Sequence, residues 1–286
     1  SSLGYKAQIS LFPNQTKPNL ISLVTLEKSS PTNEELLPHI QQRTTNRKIY
    51  KNTPLTDQQR NKLLNVANEI GKGKVILVED PEQRKTIAQA VSVNDRLLLE
   101  NKTMHDAFFS NIIWTEEEEK EKRHGLYIKT LELPPPVKVA FKLLKHWPVV
   151  KFLIRIGLPK AVAKGNAKIY SSGAATGIIV VDGNNPADFV ITGRLMQRVW
   201  LKTAKMGLSL QPVTGVLFLM QRVMAGDTES FSTFQINLLK DAYKKIKTIF
   251  SVESGTITML FRIGEGGQPS AVSSKRKPEI IPDNQV

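Results

Sequence analysis

Arg43 and Arg47 stand four residues apart with Thr44, Thr45 and Asn46 between them, inside the stretch 39–50 that reads His-Ile-Gln-Gln-Arg-Thr-Thr-Asn-Arg-Lys-Ile-Tyr. Guanidinium forks with hydroxyls and an amide between them suit an anion. Phosphate suits them best, because paired N–H groups match two phosphate oxygens at once. On the last turn of a helix this spacing sets both arginines on one face. Thr44, Thr45 and Asn46 favour caps and turns, so the helix is expected to fray there and leave backbone N–H groups beside the two forks. The competing reading is a solvated helix end whose arginines cap carbonyls or pair with Glu34 and Glu35.

Other chemistry is scarce. The 286 residues contain no cysteine, which removes disulfides, thiolate nucleophiles and cysteine-bound metals. His39, His105, His124 and His146 are scattered without metal-ligand spacing, so no metal is expected. A formal net charge of +14 favours anionic partners: nucleic acid, a phosphate-bearing cofactor or an acidic membrane surface. No apolar run is long enough to span a bilayer and no signal peptide opens the chain, so a soluble, cytoplasmic protein is expected. The chain begins at Ser1 and soon enters a strand-like run, which reads as a processed chain or an excised fragment.

The elements that must position these residues alternate between strand and helix. Residues 8–12 and 20–26 are β-type runs joined through Pro13 and Pro18. Ser30-Pro31-Thr32-Asn33-Glu34-Glu35 is expected to open a helix that carries Leu36, Leu37 and Ile40 toward Arg43, with Pro38 shortening it. A second helix starts near Pro54 and stops at Gly71; residues 74–79 form a buried strand, and Asp80-Pro81 starts the next helix. The pattern from 84 to 113 is helical, Thr115 caps a solvated charge run, and Pro134-Pro135-Pro136 is expected to be extended. Residues 175–182 are a buried strand, followed by Asn185 as cap and Pro186 at the first helical position. The helix that follows places Leu195, Met196, Val199, Trp200 and Thr203 on one face. Gly193 interrupts it at a cost of about 1 kcal/mol, which predicts close packing against its backbone. Residues 208–212 are extended, a long helix runs through Phe234 and Ile249, and residues 257–263 make the last strand, delivering Arg262 to Gly264-Glu265-Gly266-Gly267. Ser273-Ser274-Lys275-Arg276-Lys277-Pro278 begins a polar tail.

Residues 138–168 hold eight basic side chains, Lys138, Lys142, Lys145, Lys151, Arg155, Lys160, Lys164 and Lys168, and no acid. Apolar residues run between them, giving a basic amphipathic helix pair broken at Pro148 and again at Gly157-Leu158-Pro159. It either covers an anionic ligand, lies on a membrane interface or meets nucleic acid, or it is an insertion whose lysines simply face water.

The order of these motifs resembles the flavin-dependent nitroreductase family. The residues that carry the resemblance are Arg43-Thr44-Thr45-Asn46-Arg47, the glycine-containing helix from Gly193 to Gly207-Leu208, Phe261-Arg262-Ile263-Gly264, and Lys275-Arg276-Lys277-Pro278. The likeness extends over residues 34–281 and is nearest to an enlarged subtype, some members of which are fused to an adenylating module of the ubiquitin-activating type. It implies an α+β, nitroreductase-like fold over residues 1–286, with a central mixed sheet flanked by helices. Residues 1–30 would be a strand region left from an upstream half, 134–168 a basic helical insertion and 268–286 an extended arm that wraps a second subunit of a homodimer. It also implies FMN as cofactor, NAD(P)H as hydride source and a nitro or quinone-type acceptor, with nucleic acid not expected as partner. Arg43, Thr44, Thr45, Arg47, Arg262, Lys275 and Arg276 are nominated for the phosphate and the flavin edge, and Gly193 or the turn at Gln211-Pro212 for the floor under the ring. No catalytic side chain is nominated, because the flavin carries the chemistry. The family's Ala-Pro-Ser…Asn-x-Gln-Pro-Trp stretch is absent, which keeps a second reading open: an inactive module that sequesters flavin or binds a partner or an anionic surface.

Overall fold

A computed structural model describes residues 2–276. Lys277 and Pro278 of the tail motif, and the arm beyond them, lie outside the described residues. The first element is a hairpin of β1 (Tyr5–Leu11) and β2 (Ser22–Lys28), antiparallel, with Ala7 opposite Leu26 and Ile9 opposite Val24. It forms a sheet of its own, exposed along nearly all its length.

The helix expected from residue 30 onward is reduced to α1 (His39–Gln42), which starts after Pro38 and ends before Arg43. Pro38 has no N–H to give and fixes its own φ, so it starts a helix more readily than it continues one. α2 (Asp57–Leu64) opens with a capping box, in which Thr56 accepts from the Gln59 amide and the Gln59 side chain accepts from Thr56; removing such a cap costs about 1 kcal/mol. α3 (Val66–Ile70) ends at Gly71 in the left-handed region. β3 (Lys74–Val78) then leads to α4 (Pro81–Val91), capped by Asp80.

The helical run expected from 84 to 113 is three helices, α4, α5 (Val93–Glu100) and α6 (Lys102–Ser110), jointed at Ser92 and Asn101. β4 (Ile112–Ile113) pairs in parallel with β5 (Leu126–Tyr127), and between them Thr115 caps α7 (Glu116–Lys122) through a capping box with Glu118. A 3-10 turn, Ile128–Leu131, leads to the triple proline. Contrary to expectation that stretch is not wholly extended: α8 (Pro135–Leu143) begins inside it, because the amides missing at Pro135 and Pro136 belong to the first turn, where no partner exists anyway. The basic segment is likewise three helices rather than a pair. The breaks fall where expected, before Pro148 and at Gly157, and α9 (Trp147–Arg155) and α10 (Leu158–Tyr170) each take their proline into the first turn for the same reason.

β6 (Ala175–Val181) is buried at every position. α11 (Pro186–Lys205), β7 (Ser209–Pro212), α12 (Gly215–Met224), α13 (Thr233–Ile249) and β8 (Thr256–Gly264) complete the chain. The central sheet has the order β3-β6-β8-β7, antiparallel at each join. Its parallel component is the isolated bridge of Thr45 to Leu210 on the outer edge of β7. Alternate residues of β6 face opposite layers, as a strand requires. Ile178 and Val180 pack with α4, α5, α12 and α13, whereas Ile179 and Val181 pack with α2, α3 and α11. The result is the α+β class with a sheet between helices. A satellite cluster of Phe109, Ile112, Ile113, Tyr127 and Ile128 receives Phe141 and Leu144 and so anchors the basic helices.

Candidate functional site

Residues 43–51 run along the outer edge of β7 and past the end of β8. The Asn46 amide donates to the Leu210 carbonyl at 3.2 Å, its side chain donates to Ser209 Oγ at 3.0 Å and to the Gly267 carbonyl at 2.8 Å, and Lys51 bridges Glu265. The segment is therefore extended where a helix was expected, with Arg43 at ψ 130° as the cap of α1. This overturns the shared helical face. Four extended residues advance about 13 Å, whereas the i and i+4 positions of a helix sit within about 6 Å. Arg43 and Arg47 accordingly go to different places.

Arg43 lies over the Trp200 ring, 4.9 Å from its centroid, and the Trp200 indole donates to the Thr44 carbonyl at 3.3 Å. Both line a cleft of about 320 Å³ with Gln42, Asn46, Gly207 and Gln268. Arg43 Nε is buried and has no hydrogen-bond partner. Beside it comes the tail: Lys275 Nζ donates to the carbonyls of Ile40 (3.0 Å) and Gln41 (2.7 Å), covering the open end of α1. Partial burial, and then the charge of Arg43, push the Lys275 ammonium below its ordinary range. Two cations are thus close enough to repel, and one of them, Arg43, lines the cleft with a donor to spare, an arrangement that an anion stabilises. Thr44 lines this cleft, Thr45 is bridged to Leu210 of its lining, and Arg276 is exposed at the end of the described tail.

Arg262 is elsewhere and already satisfied. It is fully buried and donates from Nε to Gln211 Oε1 (2.8 Å), from Nη1 to Ser172 Oγ (2.8 Å) and from Nη2 to the Lys48 carbonyl (2.6 Å), while its plane lies 3.8 Å from the Tyr50 ring centroid. The pairing with Gln211 follows from register, since the two are opposite in the β7–β8 ladder. Burial pushes Arg262 down to about 10, partly opposed by Tyr50 and Tyr170. Arg47 also turns inward, to the carbonyl of Thr130 at 3.1 Å, and burial lowers it too. The structure therefore separates the nominated residues. Arg43 and Thr44 line the cleft with Lys275 close to Arg43, and Thr45 is bridged to Leu210 behind them; Arg47, Gln211 and Arg262 tie the sheet edge to its neighbours from inside.

Gly173 and Gly266 make room for this interior. A Cβ on Gly173, whose φ is +122°, would meet the Ile263 carbonyl at 2.6 Å, and one on Gly266 would meet the Tyr50 ring at 2.5 Å. Gly193 is the opposite case and corrects the expectation of close packing. Nothing lies within 4 Å of its Cβ position, and it lines an open groove of about 690 Å³ with Leu36, Leu37, Ile40 and Gln197. A glycine's helix cost by itself does not say whether the space above it is filled.

Residues that the sequence reading passed over are Trp200 as the wall of the cleft, Tyr50 and Ser172 as holders of Arg262, and the pair Asp95 and Tyr170. Tyr50 stood in the opening stretch, and Trp200 lies seven residues beyond Gly193, two helical turns on; neither signal was specific. Asp95 Oδ2 is buried without a partner, and burial raises the carboxyl above its usual range despite hydrogen bonds from Asn166, Tyr170 and Asn94. Burial, with Asp95 alongside, also raises the Tyr170 phenol. Among the described residues no group of three or more His, Asp or Glu is arranged to hold a metal, and no helix is long and apolar enough to cross a membrane.

No family model matches the chain. The uncharacterized protein MT1398 of Mycobacterium tuberculosis (strain CDC 1551 / Oshkosh) is 23% identical over 236 residues, which cover 82% of this chain and 30% of that protein. The chain thus spans less than a third of the length of the curated relative it matches. Among solved structures, the NADPH:FMN oxidoreductase of Vibrio harveyi complexed with NAD+ is 12% identical, covers 88% of this chain and 78% of its own, and superposes with a TM-score of 0.43. An FMN-dependent nitroreductase from Clostridium difficile is 12% identical, with coverage of 87% and 94% and a TM-score of 0.40. A nitroreductase with bound FMN from Bacteroides fragilis is 7% identical, with coverage of 89% and 98% and a TM-score of 0.42. These superpositions are loose.

Proposed function

We propose that this chain is an FMN-binding oxidoreductase that passes hydride from NAD(P)H to a nitro or quinone-type acceptor. The observation that carries the reading is the buried, unpartnered Arg43 Nε in a cleft whose lining holds no carboxylate, with the Lys275 ammonium near enough for the charge of Arg43 to push it down. A phosphate fits that donor set: Arg43 offers a fork whose orientation the Trp200 ring maintains, Thr44 and Asn46 line the same wall, and Lys275 nearby adds positive charge. Arg43, Thr44, Thr45 and Lys275 would hold the phosphate end of FMN, with Arg276 at the rim. The flavin, when bound, supplies the hydride chemistry, so the protein's part is to bind, to orient and to exclude water. Arg47, Gln211 and Arg262 act one layer behind, fixing the strand edge on which Arg43 and Thr44 sit.

The test is titration of the purified chain with FMN, followed by visible absorbance and flavin fluorescence, and then addition of NADH or NADPH with an acceptor such as a nitroaromatic or a quinone. Binding followed by acceptor-dependent NAD(P)H consumption is expected, and Arg43→Ala with Lys275→Ala should weaken FMN binding about a hundredfold, as two charge-assisted bonds are lost. Unchanged affinity in that double variant overturns the assignment. A second reading, flavin held without turnover, is favoured by the closure of Arg47 and Arg262 on internal carbonyls, which leaves few free donors for a reduced flavin. It predicts a yellow protein that leaves NAD(P)H untouched. The homodimer, the cytoplasmic location and the fused adenylating module implied by the resemblance belong to the same proposal; sedimentation velocity tests the first.

A further inference from the structure

We propose that the outward faces of α9 and α10 form a docking surface for an anionic lipid bilayer. A surface helix ordinarily turns its apolar stripe inward and leaves polar residues outside. α9 does the first and not the second. Val150 is fully buried, yet Val149, Phe152 and Ile156, spaced i, i+3 and i+7 along α9 and its cap, are 37%, 62% and 70% exposed. The polar side chains exposed along this stretch are Lys151 and Arg155. Single exposed apolar residues are ordinary, but a stripe of three framed by cations marks an interaction surface.

α10 extends the surface by charge. Lys160, Lys164 and Lys168 recur at every fourth position and are all exposed, while Pro159, Ala163 and Ala167 are buried. Some exposed lysines elsewhere meet carboxylates, as in Lys102 with Asp106 and Lys120 with Glu116, whereas others, such as Lys240 and Lys244, enter no ion pair among the described residues. None of the eight cations between 138 and 168 enters an ion pair among the described residues, and the segment contains no acid that could supply one. The platform is well held: the Leu144 carbonyl lies 2.8 Å from His105 Nε2, and the Trp147 ring packs edge-on against the His105 ring at 5.2 Å.

Charge alone would also suit a nucleic acid, but the apolar half of the surface decides between them. A single-stranded nucleic acid is held by aromatic faces on which bases stack. Here the exposed apolar residues are Val149, Ile156 and one phenylalanine, with Val139 and Leu143 of α8 also open to solvent. Aliphatic side chains enter the acyl boundary of a bilayer while lysines reach its phosphates. Because no helix among the described residues can cross a membrane, attachment through this face would be peripheral.

Flotation with lipid vesicles tests the proposal on the 286-residue chain at about 0.15 M salt. The chain should float with vesicles of phosphatidylcholine and phosphatidylserine and stay down with phosphatidylcholine alone. Lys160→Glu, Lys164→Glu and Lys168→Glu together should lower partitioning at least a hundredfold, at about fivefold or more per cation. Phe152→Ser with Ile156→Ser should lower it about tenfold or more. All five side chains are exposed, so circular dichroism and the melting midpoint should stay unchanged; if the serine variant melts early, the lysine variant alone decides. Three results overturn the proposal: equal flotation with neutral vesicles, flotation that ignores the lysine substitutions, or release from vesicles by a single-stranded RNA that the serine variant still binds. A fall in sedimentation coefficient in the serine variant also overturns it, because a second copy would then be the occupant.

Discussion

Arg262 and Arg43 carry the same side chain in opposite circumstances. Arg262 spends its donors on Gln211, Ser172 and the Lys48 carbonyl and lies against Tyr50; Arg43 lies against Trp200 with a buried Nε that donates to nothing. Both stack on an aromatic ring, so stacking does not distinguish a structural arginine from a binding one. The number of donors the fold leaves unused does. An arginine saturated by carbonyls is a fixture of the sheet edge, whereas one with a buried orphan donor has a ligand-sized deficit.

The sharpest way to break this contrast is Arg262→Ala. It leaves Gln211, Ser172 and the Lys48 carbonyl without their donor inside the molecule, and a loss of about 3–5 kcal/mol in urea unfolding is expected. A loss no larger than that of Arg43→Ala would erase the distinction. Arg43→Ala itself should cost under about 1 kcal/mol of stability while weakening phosphate or FMN binding more than tenfold in calorimetric titration. Asp95→Asn refines the buried side of the comparison, since burial there does not mean saturation. The folded carboxyl is raised above its unfolded value, so the stability it contributes is full below the unfolded aspartate range and is lost as pH rises through the folded value. The asparagine variant should therefore melt higher near neutrality, by about 1 kcal/mol, with the gain vanishing as acid is added. The smallest effect belongs to Gly193→Ala, which enters open space on a helix and should gain about 0.5–1 kcal/mol. Unaltered flavin affinity in that variant would remove Gly193 from the list of ring contacts.

Local chemistry made much of the chain legible. Asp80-Pro81, Thr115 with Glu118, and Asn185-Pro186 each announce a helix start through groups that act within four residues, and the structure has all three. Strands β3, β6 and β8 are apolar enough to be read from composition alone. What failed was non-local. Residues 43–47 have helical spacing, but pairing with Leu210, far along the chain, draws them into an extended edge. Gly193 raised the right question and the wrong answer, because a helix glycine reports a lost side chain without reporting what stands opposite. The site was half legible for a similar reason. A motif names Arg43, Lys275 and Arg262 alike, and only the packing shows that Arg262 has nothing left to give.

Glu132 receives both the amide and the hydroxyl of Ser270, Glu119 receives the Ser274 amide, and only then does Lys275 reach the carbonyls at the end of α1. The cation beside Arg43 is thus held in place by a strap tied at Glu132, Glu119 and the end of α1. Occupancy and closure are then thermodynamically reciprocal: a bound anion holds the strap shut by as much as the closed strap tightens the anion. Hydrogen exchange at the Ser270 and Ser274 amides, which the closed strap ties to Glu132 and Glu119, should therefore slow when the cleft is filled.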